Sequence, residues 1–215
     1  MQKLAVTLWN YKGGVGKSTI SLVLTQIAAQ QSLRVLAVDL DEQQNLAHTL
    51  KLSAQLFPTL HVRSYLAQDF AQEDFDFFII DTHPAKDDTI VMAMQFADIV
   101  LIPVLGDYFS VINLRSAIDY VVNAGVGEEQ VAIVKNCMTS LKMSYEVEQS
   151  LDKHGYPSAG KLPRSNIIIR NVASGCKWDK SLRLQQREPF LQLYSNIWSA
   201  FEQMSSGNFH NLWRL

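Results

Sequence analysis

A chain of 215 residues with 47% hydrophobic content can bury one sizeable core, and a single α/β domain over 1–215 is ordinary at this length. Two cysteines, Cys137 and Cys176, exclude a disulfide framework and a Cys-only metal site and fit a reduced, cytoplasmic setting. A strand that starts within about three residues of the N-terminus leaves no room for a signal peptide, and no apolar run approaches the roughly 18 residues of a membrane span.

The net charge of −2 conceals an asymmetry. Residues 1–160 hold 11 Lys/Arg against 18 Asp/Glu, whereas residues 161–215 hold 8 against 3, so the C-terminal quarter is basic. Lys161, Arg164, Arg170, Lys177, Lys180, Arg183 and Arg187 are opposed only by Asp179 over that stretch. Such a cluster fits contact with nucleic-acid phosphate, and it equally fits a solvated surface.

In chain order, Leu4–Trp9 is an apolar run of strand length. Lys12-Gly13-Gly14-Val15-Gly16-Lys17-Ser18-Thr19 follows, and then Ile20, Val23, Leu24, Ile27 and Ala28 at the spacing of a buried helical stripe. Strand, glycine loop and helix in this order make a phosphate cradle, because backbone N–H groups close around phosphate oxygens at the positive end of a helix. Lys17 then reaches the β- and γ-phosphates, and the Ser18 hydroxyl serves Mg²⁺. The pattern G-x-x-x-x-G-K-[ST] wants Gly at position 11, which here is Tyr11.

Arg34–Asp39 and Phe75–Asp81 are buried-strand patterns that each end in a carboxylate, at the strand end where open α/β sheets gather ligands. Asp98–Val104 and Val131–Asn136 are further strands, and helical patterns lie near residues 88–97 and 109–123. Residues 53–74 hold at most a short strand around Leu60-His61-Val62. Tyr156-Pro157 and Leu162-Pro163 mark a loop and a short strand, and Ile167-Ile168-Ile169 is too brief to assign. A last helix is expected from about Pro189 to Met204, with Phe190, Leu193, Tyr194, Ile197, Trp198 and Phe201 as its stripe. The predicted fold is a mostly parallel twisted sheet with helices on both faces.

The motif K-G-G-x-G-K-[ST] resembles the deviant Walker A loop of the ParA/MinD family of dimeric ATPases. The resemblance covers nearly the whole chain. Asn10 stands where the family has the Asn of N-x-K-G-G, and Asp39-x-Asp41-x-Gln43-x-Asn45 resembles D-x-D-P-Q-x-[NS] with Glu42 in place of proline. Asp81-Thr82-His83-Pro84 resembles the Walker B and switch segment D-x-P-P, with His83 for the first proline. Ile102-Pro103-Val104 and Leu162-Pro163-Arg164-Ser165 resemble the family's I-P-V and I-P-R segments. The two lost prolines put the rigidity of the switch loops in question, since proline fixes φ.

The resemblance implies ATP and Mg²⁺ as cofactors. Gly13, Gly14, Val15, Gly16, Lys17, Ser18 and Thr19 hold the triphosphate, Asn136 contacts adenine, and Asp39 and Asp81 act with Ser18 on Mg²⁺. Asp41 orients the attacking water, and Lys12 crosses a dimer interface to the partner's nucleotide. Each has a plainer reading: a cap or turn for the aspartates, a solvated loop for Lys12, a polar strand end for Asn136, a bystander for His83. The implied function is a slow ParA-type ATPase that dimerises on ATP, binds non-specific DNA, and positions or segregates a cargo. An adaptor or ParB-like activating protein is its expected partner, and its place is the cytoplasm, on the nucleoid. A MinD-like membrane-cycling ATPase and a metabolic ATP-dependent ligase are the alternatives. The tail from about 205 to 215, with Phe209, Leu212 and Trp213 at helical spacing, is expected to pack on the domain or meet a partner rather than lie in a membrane.

Overall fold

Leu4–Leu8 (β1), Val35–Asp39 (β2) and Phe77–Asp81 (β4) are buried at every position, which is why they read as unbroken apolar runs instead of alternating ones. The computed structural model describes residues 3–53, 57–66, 73–173, 183–209 and 212–213. Four more strands complete the sheet: Leu60–Arg63 (β3), Ile99–Leu105 (β5), Val131–Met138 (β6) and Ser158–Pro163 (β7). The seven stand in the order β3-β2-β4-β1-β5-β6-β7, and every pairing is parallel. Each crossover returns over a face of the sheet, so all strands present their carboxyl ends along one rim.

The helices are Lys17–Gln30 (α1), Asn45–Ser53 (α2), Asp88–Phe96 (α3), Tyr108–Ile112 (α4), Leu114–Asn123 (α5), Lys142–Lys153 (α6), Asn166–Ala173 (α7) and Leu184–Ser205 (α8). Successive β4 side chains divide between the two faces, as the two-residue strand period requires. Phe77 and Ile79 join Ile20, Leu24, Ile27 and the α8 stripe, whereas Phe78 and Ile80 pack with Leu36, Val38 and Ala93. A third cluster joins Val100 and Ile102 to Leu114, Val121 and Val147.

Several elements differ from the sequence reading. The pattern near 109–123 is two helices broken at Asn113, whose side-chain amide donates to the Phe109 carbonyl at 3.0 Å. Residues 167–169 lie in α7, with the Ser165 hydroxyl accepting from Ile168 N as a cap does. The last helix starts at Leu184 rather than near Pro189, because the Gln186 side chain accepts from Arg183 N and closes its first turn. Pro189 then lies inside the helix, where it removes a single backbone donor.

The stripe on α8 is as expected, with Phe190, Leu193, Tyr194, Ile197 and Phe201 buried and Trp198 packed at its edge. In the tail, Leu212 and Trp213 are buried and the Trp213 indole donates to the Glu129 carbonyl at 2.9 Å, while Phe209 stays exposed. Among the described residues no helix is long and apolar enough to cross a membrane.

Candidate nucleotide site

The glycine loop sits on the rim between β1 and α1. Gly16 caps α1 at φ +95°, and a Cβ there would lie 2.2 Å from Asn136 Nδ2, so only glycine fits. The same Asn136 amide donates to the Val15 carbonyl at 2.7 Å. Asn136 is thus a buried brace between β6 and the loop. Asn10 braces the other side: its Oδ1 accepts from Lys12 N at 2.9 Å, and its Nδ2 donates to the Pro103 carbonyl at the same distance. The first turn of α1 carries no acid, so its positive end is uncompensated. Gly13 and Gly14 have nothing within 4 Å of a would-be Cβ and face open space.

Lys17 is buried and its ammonium donates to the Asn10 carbonyl at 3.1 Å. Burial pushes its pKa down, and the carboxylates of Asp81 and Asp41 pull it back up. A cavity of about 840 Å³ opens above, lined by Gly13, Gly14, Gly16, Lys17, Ser18, Thr19, Asp41 and Pro84 among others. That is within the usual range for a ligand pocket. A larger cavity of about 1010 Å³ is lined by Glu128, Lys135, Asp152, Lys161 and Trp213. Its lysines are already paired with Asp152 and Glu148 at 2.6 Å, whereas the smaller cavity is lined by the glycine loop and Lys17, which makes the smaller one the candidate phosphate site.

Asp39 and Asp81 stand opposite each other in the β2–β4 register. The two Asp39 oxygens accept from Asp41 N at 3.1 Å and Ala47 N at 2.8 Å, which shapes the loop into α2. Asp41 lines the cavity, and its own Oδ1 accepts from Gln43 N at 3.0 Å. Asp81 is fully buried: Ser21 donates to Oδ1 at 3.1 Å, and Oδ2 has no hydrogen-bond partner. Burial pushes Asp81 up to about 7, Asp39 adds to the rise, and the Ser18 and Ser21 hydroxyls oppose it. A buried, unpartnered carboxylate oxygen beside Ser18 and Lys17 fits Mg²⁺ carrying a triphosphate, since oxygen donors suit this ion and its charge would offset the burial.

The sign of the pH effect follows from the raised Asp81 pKa. Its neutral form favours the fold, so this contribution is full below the unfolded-state pKa near 4 and fades as pH rises through about 7. In the nucleotide-free protein Asp81→Asn is expected to raise the melting temperature by several degrees more at pH 8 than at pH 5, because the loss begins near pH 4 and is complete only above about 7. Scanning calorimetry at the two pH values checks this, and an equal shift at both would contradict the assignment.

Lys12 does not line the cavity. Its ammonium turns away to Asp107, at 3.1 and 3.0 Å from the two carboxylate oxygens, and to Ser110 Oγ at 3.0 Å. Asp107 also caps α4, accepting from Ser110 N. Asp107 escaped the sequence reading although it lies just past the end of β5, as Asp39 and Asp81 lie at the ends of β2 and β4. The loop after Asp81 is held although His83 stands where the family has its first proline. His83 Nδ1 lies 3.0 Å from the Leu40 carbonyl and Nε2 lies 2.6 Å from Asp87 Oδ2, while the Trp9 indole donates to the Ala85 carbonyl at 2.9 Å. Lys86 lies over the Tyr11 and Tyr120 rings at 5.0 and 4.9 Å. No sequence signal marked these tertiary tethers. Glu42 is exposed.

Of the basic segment, Arg164, Arg170 and Arg183 are exposed, and Lys161 is paired with Glu148 at 2.6 Å. Lys177 and Lys180 lie outside the described residues.

A family profile described as the CobQ/CobB/MinD/ParA nucleotide binding domain matches residues 6–177, which span the glycine loop and both carboxylate-tipped strands. The chain belongs to this family. No curated protein matches it. Among solved structures, one described as a plasmid partition protein of Borrelia burgdorferi B31 bound to AMPPNP is 18% identical, with TM-score 0.76, covering 92% of this chain and 98% of that one. A variant of Cyanothece McdA in complex with ATP is 16% identical, with TM-score 0.72, covering 90% and 96%. The septum site-determining protein MinD of Pyrococcus horikoshii OT3 with Mg-ADP is 16% identical, with TM-score 0.69, covering 92% and 96%. At these identities the likeness is one of fold, and this ParA/MinD-family chain shares the P-loop architecture of all three.

Proposed function

We propose that this chain is a ParA-type ATPase in which ATP assembles two copies face to face, each Lys12 serving the other's nucleotide. The position of Lys12 carries the reading. Its ammonium lies outside its own cavity, on the rim, parked on Asp107 and Ser110. A second lysine that does not serve its own phosphate site is suited to another's, where a fixed cation offsets charge as an arginine finger does.

Within each chain, Lys17, the α1 N-terminus and the loop amides hold the triphosphate, and Ser18 with Asp81 holds Mg²⁺, which supplies charge neutralisation. Asp41, in the cavity wall, positions the water that attacks the γ-phosphorus as the bond to the β–γ bridging oxygen breaks, leaving ADP and phosphate. Asp39 keeps Asp41 in place through its backbone N–H. Hydrolysis then separates the copies.

The output is cargo placement on non-specific DNA, with an adaptor of the ParB-like kind accelerating hydrolysis and the nucleoid as the place of action. The exposed Arg164 and Arg170 support the DNA contact, and the buried Trp213 indole supports a tail that packs on the domain instead of lying in lipid. Arg164→Glu with Arg170→Glu is expected to weaken ATP-dependent DNA binding. It should also flatten the log–log salt slope by about 2 to 4, since each phosphate contact contributes about 0.9 and a dimer carries the pair twice. Fluorescence anisotropy on random-sequence duplex at several salt concentrations measures it, and an unchanged slope removes these arginines from the DNA surface.

A further inference from the structure

The strand ends that form the nucleotide rim also launch α4 and α6, and these two starts adjoin. Gly106 lies so close to α6 that a Cβ there would be 2.5 Å from Ser144 Oγ, and that hydroxyl lies 3.4 Å from the Gly106 carbonyl. Tyr108, Phe109 and Ile112 of α4 and Leu141, Met143 and Tyr145 at the start of α6 are 56 to 71% exposed. A soluble surface seldom gathers six large apolar side chains at one place without an occupant. The patch is continuous with Lys12, because Asp107 and Ser110, which hold the Lys12 ammonium, begin the same helix α4.

We propose that this α4–α6 patch is the apolar half of the contact with a second copy of this chain, and that Asp107 on α4 is the latch that holds Lys12 until that copy docks. The proposal rests on the ATP-assembled dimer proposed above. The choice of occupant follows from place and area. A body that receives Lys12 must approach the rim along α4, and so must cover the patch. The six side chains expose on the order of 700 Å² per protomer, close to the roughly 800 Å² that each partner of a standard interface buries. A two-fold contact presents the same surface from both copies, so one patch on each suffices. Docking on α4 then acts on the helix that carries the latch, which links burial of the patch to release of Lys12.

The test is analytical ultracentrifugation with ATP and Mg²⁺ on the wild type, on Phe109→Ser with Ile112→Ser, and on Met92→Ser. Met92 is an exposed apolar residue of α3 and serves as the control. The double variant is expected to weaken the dimer by at least about thirtyfold, as loss of a central apolar anchor does, while its affinity for a fluorescent ATP analogue stays within about twofold. Met92→Ser should dimerise as the wild type does. Hydrogen exchange on the wild type, which requires no substitution, should slow in residues 108–112 and 141–145 with ATP and not with ADP. A wild-type dimer that the double variant leaves intact, or unchanged exchange in both segments of that dimer, overturns this surface alone. A wild type that stays monomeric with ATP at tens of micromolar overturns the assembly reading and this inference together.

Discussion

Gly16→Ala is expected to abolish nucleotide binding and to destabilise the fold by about 2 to 5 kcal/mol, because two separate costs meet at one Cβ. The first is the backbone: φ +95° is a conformation that an L side chain adopts only with strain, on the order of 1 to 2 kcal/mol. The second is the brace: the new methyl would lie 2.2 Å from Asn136 Nδ2, in the amide that holds the Val15 carbonyl, so a buried hydrogen bond worth about 1 to 3 kcal/mol must break or the loop must shift. Either response displaces the N–H groups that face the phosphates. Thermal denaturation and titration with a fluorescent ATP analogue read the two effects. Adding Asn136→Ala removes the clash but leaves the strain, so the double variant is expected to lose less than the sum of the singles. Strict additivity would mean that the brace is unimportant.

Lys12→Ala is expected to separate folding from assembly. Lys12 and Asp107 are each about one third exposed, so their ion pair contributes at most about 1 kcal/mol and the monomer should melt almost as before. The ATP-dependent dimer should be lost. Asp107→Asn is expected to act in the opposite direction, because the latch opposes every crossing of Lys12 and is broken twice per dimer. Releasing both copies should tighten the dimer by up to about thirtyfold. Light scattering against concentration with ATP, for both variants, is the measurement. An Asp107→Asn dimer weaker than the wild type would show that Asp107 serves the assembled state rather than holding Lys12 back.

What was legible in the sequence tracks what is local or fully buried. The glycine loop and the strands β1, β2, β4, β5 and β6 could be read because their residues are buried on both faces and leave continuous apolar runs. The edge strands β3 and β7 were faint because a sheet edge buries only part of each strand, as the exposed His61, Lys161 and Pro163 show. Helix α7 was missed since three isoleucines fit either period, and the capping Ser165 was the only local hint. At the site, the residue types were readable but not their pairings. Lys12 meets Asp107 across 95 residues and Ser21 meets Asp81 across 60, distances that no spacing rule spans. His83 had lost the family proline, which suggested a loose switch loop, yet its ring ties that loop to Leu40 and Asp87. In the basic segment, charge counting could not show that Lys161 is occupied by Glu148.

The central claim is that Lys12 acts on the other copy's nucleotide, and mixing two inactive variants tests it most directly. Lys12→Ala and Asp41→Ala are each expected to turn over ATP far more slowly than the wild type. In a mixed dimer the Lys12→Ala chain keeps its own Asp41 and receives Lys12 from its partner, so one complete site forms. The mixture is expected to turn over ATP well above the sum of the separate variants, up to about half of the wild-type rate if every chain enters a mixed dimer, since each mixed dimer holds one good site of two. A mixture no faster than the sum of the separate variants would contradict it, and would return Lys12 to its own chain.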